Sequence, residues 1–314
     1  MTGGLRRRSA VVRVPATSAN LGCGFDSFGL ALNLHDEVSV RVIDGPVTVA
    51  VTGHGAGTLP SDGRHLVART IIETLTDAGV TPPGLHIQCV NRIPHGRGLG
   101  SSAAALTAGV LLGQALIGED AGGAQRAALQ AVATAEGHPD NAAACLLGGF
   151  TIAWREPAGG SGGEPAGEFR ARSLPVHPSI RTVVCIPRRP LPTRRARRAL
   201  ATEIGYAEAT FNIARAGLLV HALGADPSLL VVATDDRMHQ QQRAALMPDT
   251  LALVARLRAA GLAAMVSGAG PTVLTLVTAG RQEAEVRRLT GEAMTVQSLS
   301  INRRPTRPRR APTP

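Results

Sequence analysis

The chain has 314 residues, of which 44% are hydrophobic and 18% charged, and this balance is typical of a globular protein with a substantial buried core. The formal net charge is +10, and every basic residue is arginine, because the sequence contains no lysine. These numbers exclude a disordered or fibrous chain, a lysine-containing phosphate loop, a Schiff-base enzyme and a lysine general base.

The strands and helices predicted from hydrophobic periodicity and turn residues indicate an α+β fold. Residues 36–43 alternate apolar and polar side chains and form a half-buried strand, for which residues 47–52 are the expected hairpin partner. The predicted strands are 11–15, 28–32, 36–43, 47–52, 85–91, 149–154, 170–174, 181–187, 262–267, 272–278 and 294–300. The predicted helices are 64–78, 101–116, 123–136, 142–147, 193–200, 205–222, 249–260 and 280–290.

The chain is expected to divide near a glycine-rich insertion. Residues 157–168 read PAGGSGGEPAGE, which is typical of a linker or of a long hairpin tip, and the flanking strands favour the tip. We therefore divide the chain into residues 1–165 and residues 166–302. Residues 303–314 are rich in arginine and proline and are predicted to be disordered.

Three features of the sequence indicate where the protein works. No run of about eighteen apolar residues occurs, which excludes a membrane-spanning helix. Residues 1–13 are basic without an apolar stretch and do not resemble a secretory signal. The cysteines have neither metal-ligand nor redox spacing and are expected to be reduced and buried: Cys23, Cys89, Cys145 and Cys185. We therefore expect a cytoplasmic protein with no membrane partner.

The basic excess is concentrated in three segments that contain no acid: residues 1–13, 188–198 and 301–314. Such segments can meet phosphate groups non-specifically. Aromatic residues make up only 2% of the chain, however, which leaves little material for stacking on single-stranded bases. Nucleic acid is therefore not expected as the main partner.

A glycine-rich turn at residues 94–104, PHGRGLGSSAA, lies between a predicted strand and an apolar helix. Its glycines permit positive φ and close backbone approach, and Ser101 and Ser102 are expected to cap the helix. Free N–H groups at such a helix start favour an anion, so this turn is the natural phosphate site of a chain without lysine. A plain glycine-rich connection is the alternative, and a nicotinamide fingerprint is disfavoured by the G-x-G-x-G spacing.

This turn, P-x-x-x-G-L-G-S-S-A-A, resembles the ATP-binding motif of the GHMP kinases. VPATSANLGCGFDSFG at residues 14–29 and VSGAGPTVLT at residues 266–275 are similar to the other two motifs of that family, in the same order. The resemblance implies a GHMP kinase fold, with an N-terminal half like the second domain of ribosomal protein S5, including a left-handed βαβ crossover. It implies a ferredoxin-like C-terminal half, with ATP in the cleft between the halves.

Within that family the first motif is most similar to the homoserine kinases, as are residues 136–149, 193–200 and 236–248. The resemblance implies an enzyme that phosphorylates L-homoserine with ATP and Mg²⁺, and it also allows a homodimer. Another small-molecule kinase, acting on mevalonate or a sugar, is one alternative. A catalytically inactive ATP-binding protein is the other.

The resemblance also implies the substrate-binding residues. It places Asn20 and Asp26 at the amino-acid substrate, where Asp26 takes the ammonium group or orients the hydroxyl. An arginine fork suits a carboxylate, and Arg243 is favoured for that role. Arg197 is assigned to the substrate or to the transferring phosphoryl group, and His138 to a polar substrate contact or a turn.

The residues implied for catalysis are Asp26, Arg197 and Glu136, and those implied for Mg²⁺ are Ser102 and Glu136. The proton of the substrate hydroxyl passes either to Asp26 or directly to the γ-phosphate, and the sequence leaves both open. The residues assigned to ATP are Pro94, His95, Gly96, Arg97, Gly98, Leu99, Gly100, Ser101, Ser102, Ala103, Ala104, Gly268 and Gly270.

Overall fold

The structure, a computed structural model, describes residues 4–81, 84–119, 122–157, 167–292 and 294–311, which form two β-sheets packed with helices. The strands are β1 (Ser9–Ala19), β2 (Phe28–Val42), β3 (Thr48–Gly53), β4 (Leu85–Asn91), β5 (Phe150–Arg155), β6 (Phe169–Leu174), β7 (Arg181–Pro187), β8 (Ala263–Val266), β9 (Val273–Val277) and β10 (Met294–Leu299). The helices are α1 (Leu66–Asp77), α2 (Ser101–Ile117), α3 (Gly122–Glu136), α4 (Asp140–Leu147), α5 (Thr193–Arg198), α6 (Tyr206–Gly224), α7 (Leu230–Ala233), α8 (Pro248–Ala259) and α9 (Gly280–Thr290).

The first sheet has the order β3-β4-β2-β5-β6, with β1 paired to β2. The two strands predicted at 28–32 and 36–43 are one long strand, β2, whose partner β1 shifts register between Pro15 and Ala16. The predicted hairpin is wrong, because β3 does not pair with β2. Strand β4 pairs with β2 at that position, and β3 pairs in parallel with β4. Parallel neighbours require a crossover, which α1 supplies.

Helix α2 packs against the first sheet within the hydrophobic core and is apolar on nearly every side. It packs closely on α1 because two of its glycines face that helix. A Cβ atom added at Gly109 would lie 2.6 Å from Cβ of Thr70, and one at Gly113 would lie 2.7 Å from Cβ of Thr74. This approach fixes the axis of α2 and therefore the position of its N-terminus. No helix among the described residues is long and apolar enough to cross a bilayer.

The second sheet has the order β10-β7-β9-β8, and all of its neighbours are antiparallel. With helices between β7 and β8 and between β9 and β10, this is the ferredoxin-like arrangement that was expected. The boundary set at residue 165 lies outside the described residues. Strand β6 follows it and pairs with β5, so the second sheet begins only at β7.

Residues 303–311 are ordered along the first sheet, and the prediction that they are disordered is wrong. Arg309 and Val11 exchange both of their backbone hydrogen bonds, at 2.8 and 2.9 Å. Thr306 is buried; its N–H donates to the Leu146 carbonyl and its hydroxyl to the Cys145 carbonyl. These hydrogen bonds join the segment to β1 and to the end of α4. The segment is therefore ordered in spite of its arginine- and proline-rich composition. Residues 312–314 lie outside the described part.

Replacing Thr306 with Val removes a buried hydroxyl bond while keeping the shape of the side chain. We expect the free energy of unfolding to fall by about 1 kcal/mol in urea denaturation, because the Cys145 carbonyl loses its partner. Thr210→Val, on an exposed position of α6, is the matched control. Equal effects of the two substitutions would contradict an anchored C-terminal segment.

Candidate active site

Three loops that carry the three sequence motifs converge between the two sheets. We call them the Asn20 loop (residues 19–28), the glycine loop (residues 94–102) and the SGAG loop (residues 267–272). The Asn20 loop joins β1 to β2, the glycine loop joins β4 to α2, and the SGAG loop joins β8 to β9. Two loops therefore come from the first sheet and one from the second.

The glycine loop and the SGAG loop touch through their backbones. The Ser267 hydroxyl donates to the Gly98 carbonyl at 2.6 Å. A Cβ atom at Gly98 would lie 2.2 Å from the Ser267 carbonyl oxygen, and φ of Gly98 is +72°, so both space and conformation require glycine there. Gly100, with φ of +69°, has no room either, because its Cβ would lie 1.9 Å from Oγ1 of Thr17.

The N-terminus of α2 is left open by this arrangement. Gly100 is its N-cap residue and no side-chain cap bond forms, so the prediction that Ser101 and Ser102 cap the helix is wrong. The reason is that both serines lie inside the first helical turn. The side chains of Leu99, Ala103 and Ala104 are buried in the core and can offer a ligand only their backbone groups.

Asn20 holds the Asn20 loop against the SGAG loop. Its amide nitrogen donates to the Gly268 carbonyl at 2.9 Å, and its carbonyl oxygen accepts from the N–H of Asp26 at 3.0 Å. Both residues adopt positive φ, at +69° for Asn20 and +54° for Asp26. The buried amide of Asn20 is thus one reason that the carboxylate of Asp26 stands where it does.

Asp26 meets Arg197 in a bidentate ion pair, with oxygen–nitrogen distances of 3.0 and 2.6 Å. Arg197 lies on α5, in the half of the chain that carries the second sheet. The side chains are 30% and 33% exposed, so the pair is within reach of a ligand. The structure therefore brings together two residues that the sequence places at one site.

Arg243 is also at this site, but it is buried, with 1% of its surface exposed. Its Nε donates to the Ala196 carbonyl at 3.2 Å and its Nη1 to Nδ1 of His239 at 3.0 Å, whereas Nη2 has no partner among the described residues. Its guanidinium carbon lies 5.8 Å from the centre of the Phe25 ring. Burial, together with the charge of Arg197, lowers the pKa of Arg243 to about 10.

His239 was not singled out from the sequence, although it stands in the D-R-M-H-Q-Q-Q-R stretch that was. Its Nε2–H donates to the carbonyl of Gly22 in the Asn20 loop at 2.7 Å, which leaves Nδ1 to accept from Arg243. Burial lowers the pKa of His239, so the neutral ring is favoured. His239 thereby links Arg243 to the loop that carries Asp26.

An acidic group lies beside Arg197. The carboxylate of Glu136 accepts a hydrogen bond from Ser102; burial raises its pKa more than this bond lowers it. Nδ1 of His138 lies 2.7 Å from the carboxylate of Asp140. Burial lowers the pKa of His138, but Asp140 outweighs it, and the net shift is upward.

Two sets of side chains here offer a metal ion its ligands. Ligand atoms of Asp26, His138 and Asp140 lie within 4.8 Å of one another. Asp26 is already paired with an arginine, and His138 with Asp140. Ser102 and Glu136 present only oxygen, which Mg²⁺ prefers, so they fit that ion better.

A cavity of about 310 Å³ opens next to the start of α2. Ser101 and Ser102 line one side, and His65, Asn91 and His95 are among the other lining residues. His65 is 4% exposed; its Nδ1 accepts from the N–H of Val67, and its Nε2 has no partner in the described part of the chain. Sequence reasoning missed His65, since no motif marks it.

Arg97, the single arginine of the glycine loop, donates a hydrogen bond from each of its three guanidinium nitrogens. Nε donates to the Pro187 carbonyl and Nη1 to the His95 carbonyl, each at 2.8 Å, and Nη2 donates to the Arg188 carbonyl. The side chain assigned to ATP therefore clamps the loop to the end of β7.

The chain matches two family models, described as the N-terminal domain of GHMP kinases over residues 65–149 and the C-terminal domain of GHMP kinases over residues 219–294. It is 48% identical to a homoserine kinase of Streptomyces avermitilis, with 97% of each chain covered. It is 46% identical to a homoserine kinase of Streptomyces coelicolor, with 96% of this chain and 95% of the relative covered.

Among solved structures, the chain is similar to a homoserine kinase from Cytophaga hutchinsonii. The TM-score is 0.80 and the sequence identity 28%, with 96% of this chain and 98% of the other covered. The residue assignments above rest on the geometry of this chain, and the comparisons address its family and fold.

Gly98→Ala tests whether the close approach of the glycine and SGAG loops builds the site. We expect unfolding to become easier by more than about 2 kcal/mol and ADP affinity to fall at least about 10-fold, because the loops must separate. Gly79→Ala is the control, with φ of +73° and open space around the added Cβ. If Gly79→Ala had the same effect, positive φ rather than loop contact would explain the loss; urea denaturation and calorimetry measure both.

Proposed function

We propose that this chain, which belongs to the homoserine kinase family of the GHMP kinases, transfers the γ-phosphoryl group of ATP to the side-chain hydroxyl of L-homoserine. The products are ADP and O-phospho-L-homoserine, a precursor of threonine. The protein is an ATP-dependent kinase with a small-molecule alcohol as acceptor. The observation that carries the choice of substrate is the ion pair between Asp26 and Arg197 beside the buried Arg243.

A zwitterionic substrate divides this ion pair without leaving a charge unmatched. The ammonium group of homoserine takes Asp26, and its carboxylate takes the freed arginine, so each charge exchanges one partner for another. Mevalonate carries a carboxylate but no ammonium group, and a neutral sugar carries neither. Neither alcohol offers Asp26 a cation, so the exchange of partners at this ion pair favours homoserine over both alternatives.

Arg243 is the second group assigned to the carboxylate. Its Nη2 is left free by its protein partners, and its other donors are held by Ala196 and His239. The fixed guanidinium therefore costs little further ordering when it binds. Phe25 lies against both Arg197 and Arg243, at 5.8 Å from each, and shields their contact with the substrate from water.

ATP is assigned to the glycine loop and the adjoining cavity. The open N-terminus of α2 offers backbone N–H groups and the helix dipole to the phosphates. The cavity of about 310 Å³ accommodates the base, and Nε2–H of His65 is its candidate donor. Gly268 and Gly270 support the phosphate site through the SGAG loop.

Ser102 and Glu136 would hold Mg²⁺, which when bound neutralises charge on the β- and γ-phosphate oxygens. Arg197 lies close to Glu136 and Asp140, and their negative charges act on its guanidinium. Catalysis then rests on positioning and electrostatic stabilisation. Asp26 is occupied by the ammonium group, so we assign the proton of the hydroxyl to the phosphate itself. His138 is left with Nε2 for a polar contact to the substrate.

A cytoplasmic location and a homodimer stay predictions. Cell fractionation and light scattering measure them directly.

The proposed activity is tested by ADP release with Mg·ATP and a panel of L-homoserine, L-serine, L-threonine, mevalonate and galactose. A strong preference for L-homoserine is expected, since it alone combines the zwitterion with a hydroxyl one methylene beyond that of serine. Preference for mevalonate or galactose would overturn the substrate assignment but keep the kinase. Nucleotide binding without turnover of any alcohol would favour a non-catalytic protein.

Asp26→Asn separates binding from base catalysis. We expect KM for homoserine to rise about 10- to 100-fold, because a charge-assisted bond to the ammonium group is weakened, with kcat falling less than about 10-fold. A loss in kcat of about 1000-fold at saturating homoserine would instead assign Asp26 as the general base. Asp44→Asn, at an exposed position between β2 and β3, is the control in the same steady-state assay.

His239→Asn tests whether His239 is a positioning residue for Arg243. The shorter amide cannot span from the Gly22 carbonyl to Nη1 of Arg243, so the guanidinium loses one of its anchors. We expect KM for homoserine to rise about 10-fold while KM for Mg·ATP is retained, as for loss of one hydrogen bond to a charged group. His221→Asn, on an exposed position of α6, is the control; a parallel rise in both KM values would indicate general damage.

A further inference from the structure

The glycine loop, proposed to bind phosphate, has a single arginine, Arg97, and backbone carbonyls hold its guanidinium. The chain has no lysine, and the guanidinium of Arg97 is engaged by three carbonyl groups. Burial and the nearby His54 and Arg97 lower the pKa of His95, so that ring is neutral. Backbone N–H groups carry only partial charges, which act over a short range. Positive charge beyond that of Arg97 must come from another element.

One basic element is attached directly to the glycine loop. Residues 188–198, which we call the arginine segment, follow the end of β7. The N–H of Leu191 donates to the Gly96 carbonyl at 2.9 Å, and Cβ of Pro190 lies 3.2 Å from where a Cβ of Gly96 would stand. The Arg97 guanidinium donates to the carbonyls of Pro187 and Arg188. The backbone of the segment is therefore held beside the phosphate site.

The charges of this segment are uncompensated. Five of its arginines are exposed, and none of them forms an ion pair among the described residues: Arg188, Arg189, Arg194, Arg195 and Arg198. Elsewhere, exposed arginines such as Arg64 and Arg288 are paired with a neighbouring acid. The cleft itself holds Asp26, Glu136 and Asp140, which repel an anion. The arginine segment is therefore positively charged, whereas the cleft beside it contains three acidic side chains.

We propose that the arginine segment captures the triphosphate of Mg·ATP and steers it onto the glycine loop. This inference rests on the proposed function, because ATP is the ligand it names. Clustered charge at the mouth of a cleft raises the association rate of an oppositely charged ligand by about 10- to 1000-fold at low ionic strength. Salt screens such charge over about 10 Å at 0.1 M. The segment supplies the charge that a loop lysine would otherwise bring.

The test is the association rate of a non-hydrolysable, fluorescently labelled ATP analogue with Mg²⁺, measured by stopped flow. Arg188→Gln/Arg189→Gln is the main variant, and Arg194→Gln/Arg195→Gln is a second one in case the first fails to fold. Arg307→Gln/Arg310→Gln is the control for charge. It removes the same charge from residues 303–311. That segment pairs with β1 at Val11, eight residues before Ala19, where the Asn20 loop begins.

We expect the association rate of each variant of the segment to fall about 10-fold at about 10 mM salt and less than about 2-fold at about 500 mM. The control is expected to match the wild type at both. No loss in either variant, an equal loss in the control, or a loss that salt does not remove would overturn the inference. The result is independent of turnover: steering without homoserine phosphorylation refutes the proposed function alone, and phosphorylation without steering refutes this inference alone.

Discussion

The active site depends on the absence of one atom, the Cβ of Gly98. Two backbones from different sheets meet there, at a distance that no side chain permits. The Ser267 hydroxyl closes the contact, and the Asn20 amide ties the third loop to the same point. The subsites proposed for the nucleotide and the amino acid are therefore built as one unit, although their residues are spread over most of the chain.

Charge balance is the second constraint on the site. In the free protein Asp26 and Arg197 satisfy each other, and Arg243 is held by a neutral histidine and a carbonyl group. The ion pair offsets the desolvation of its two groups, whereas Arg243 is a buried cation that has no acidic ion-pair partner among the described residues. In the proposed function, a molecule with both an ammonium and a carboxylate group divides the Asp26–Arg197 pair and gives each charge a new partner.

The cationic side chains that this chain can offer to phosphate groups are arginines, because the sequence contains no lysine. One arginine, Arg97, became part of the scaffold, since its planar fork suits three carbonyl groups around one turn. Arg197 pairs with Asp26, and Arg243 is proposed to bind the carboxylate of the substrate. The exposed members of the arginine segment remain as free charge. Residue type by itself therefore did not reveal role, and the partners of each guanidinium did.

The sequence by itself determined the elements and the motifs: α2 by its apolar run, the glycine loop by its three glycines, and the positions of Asn20, Asp26, Arg197 and Arg243 by their resemblance to a family. Local periodicity and backbone conformation are written in short stretches, so these could be read. Only the tertiary structure decided that β3 lies beside β4, that residues 303–311 are ordered, that His239 holds Arg243 and that His65 lines the cavity beside α2. Each of these depends on a partner far away in the chain, and no local pattern specifies such a partner.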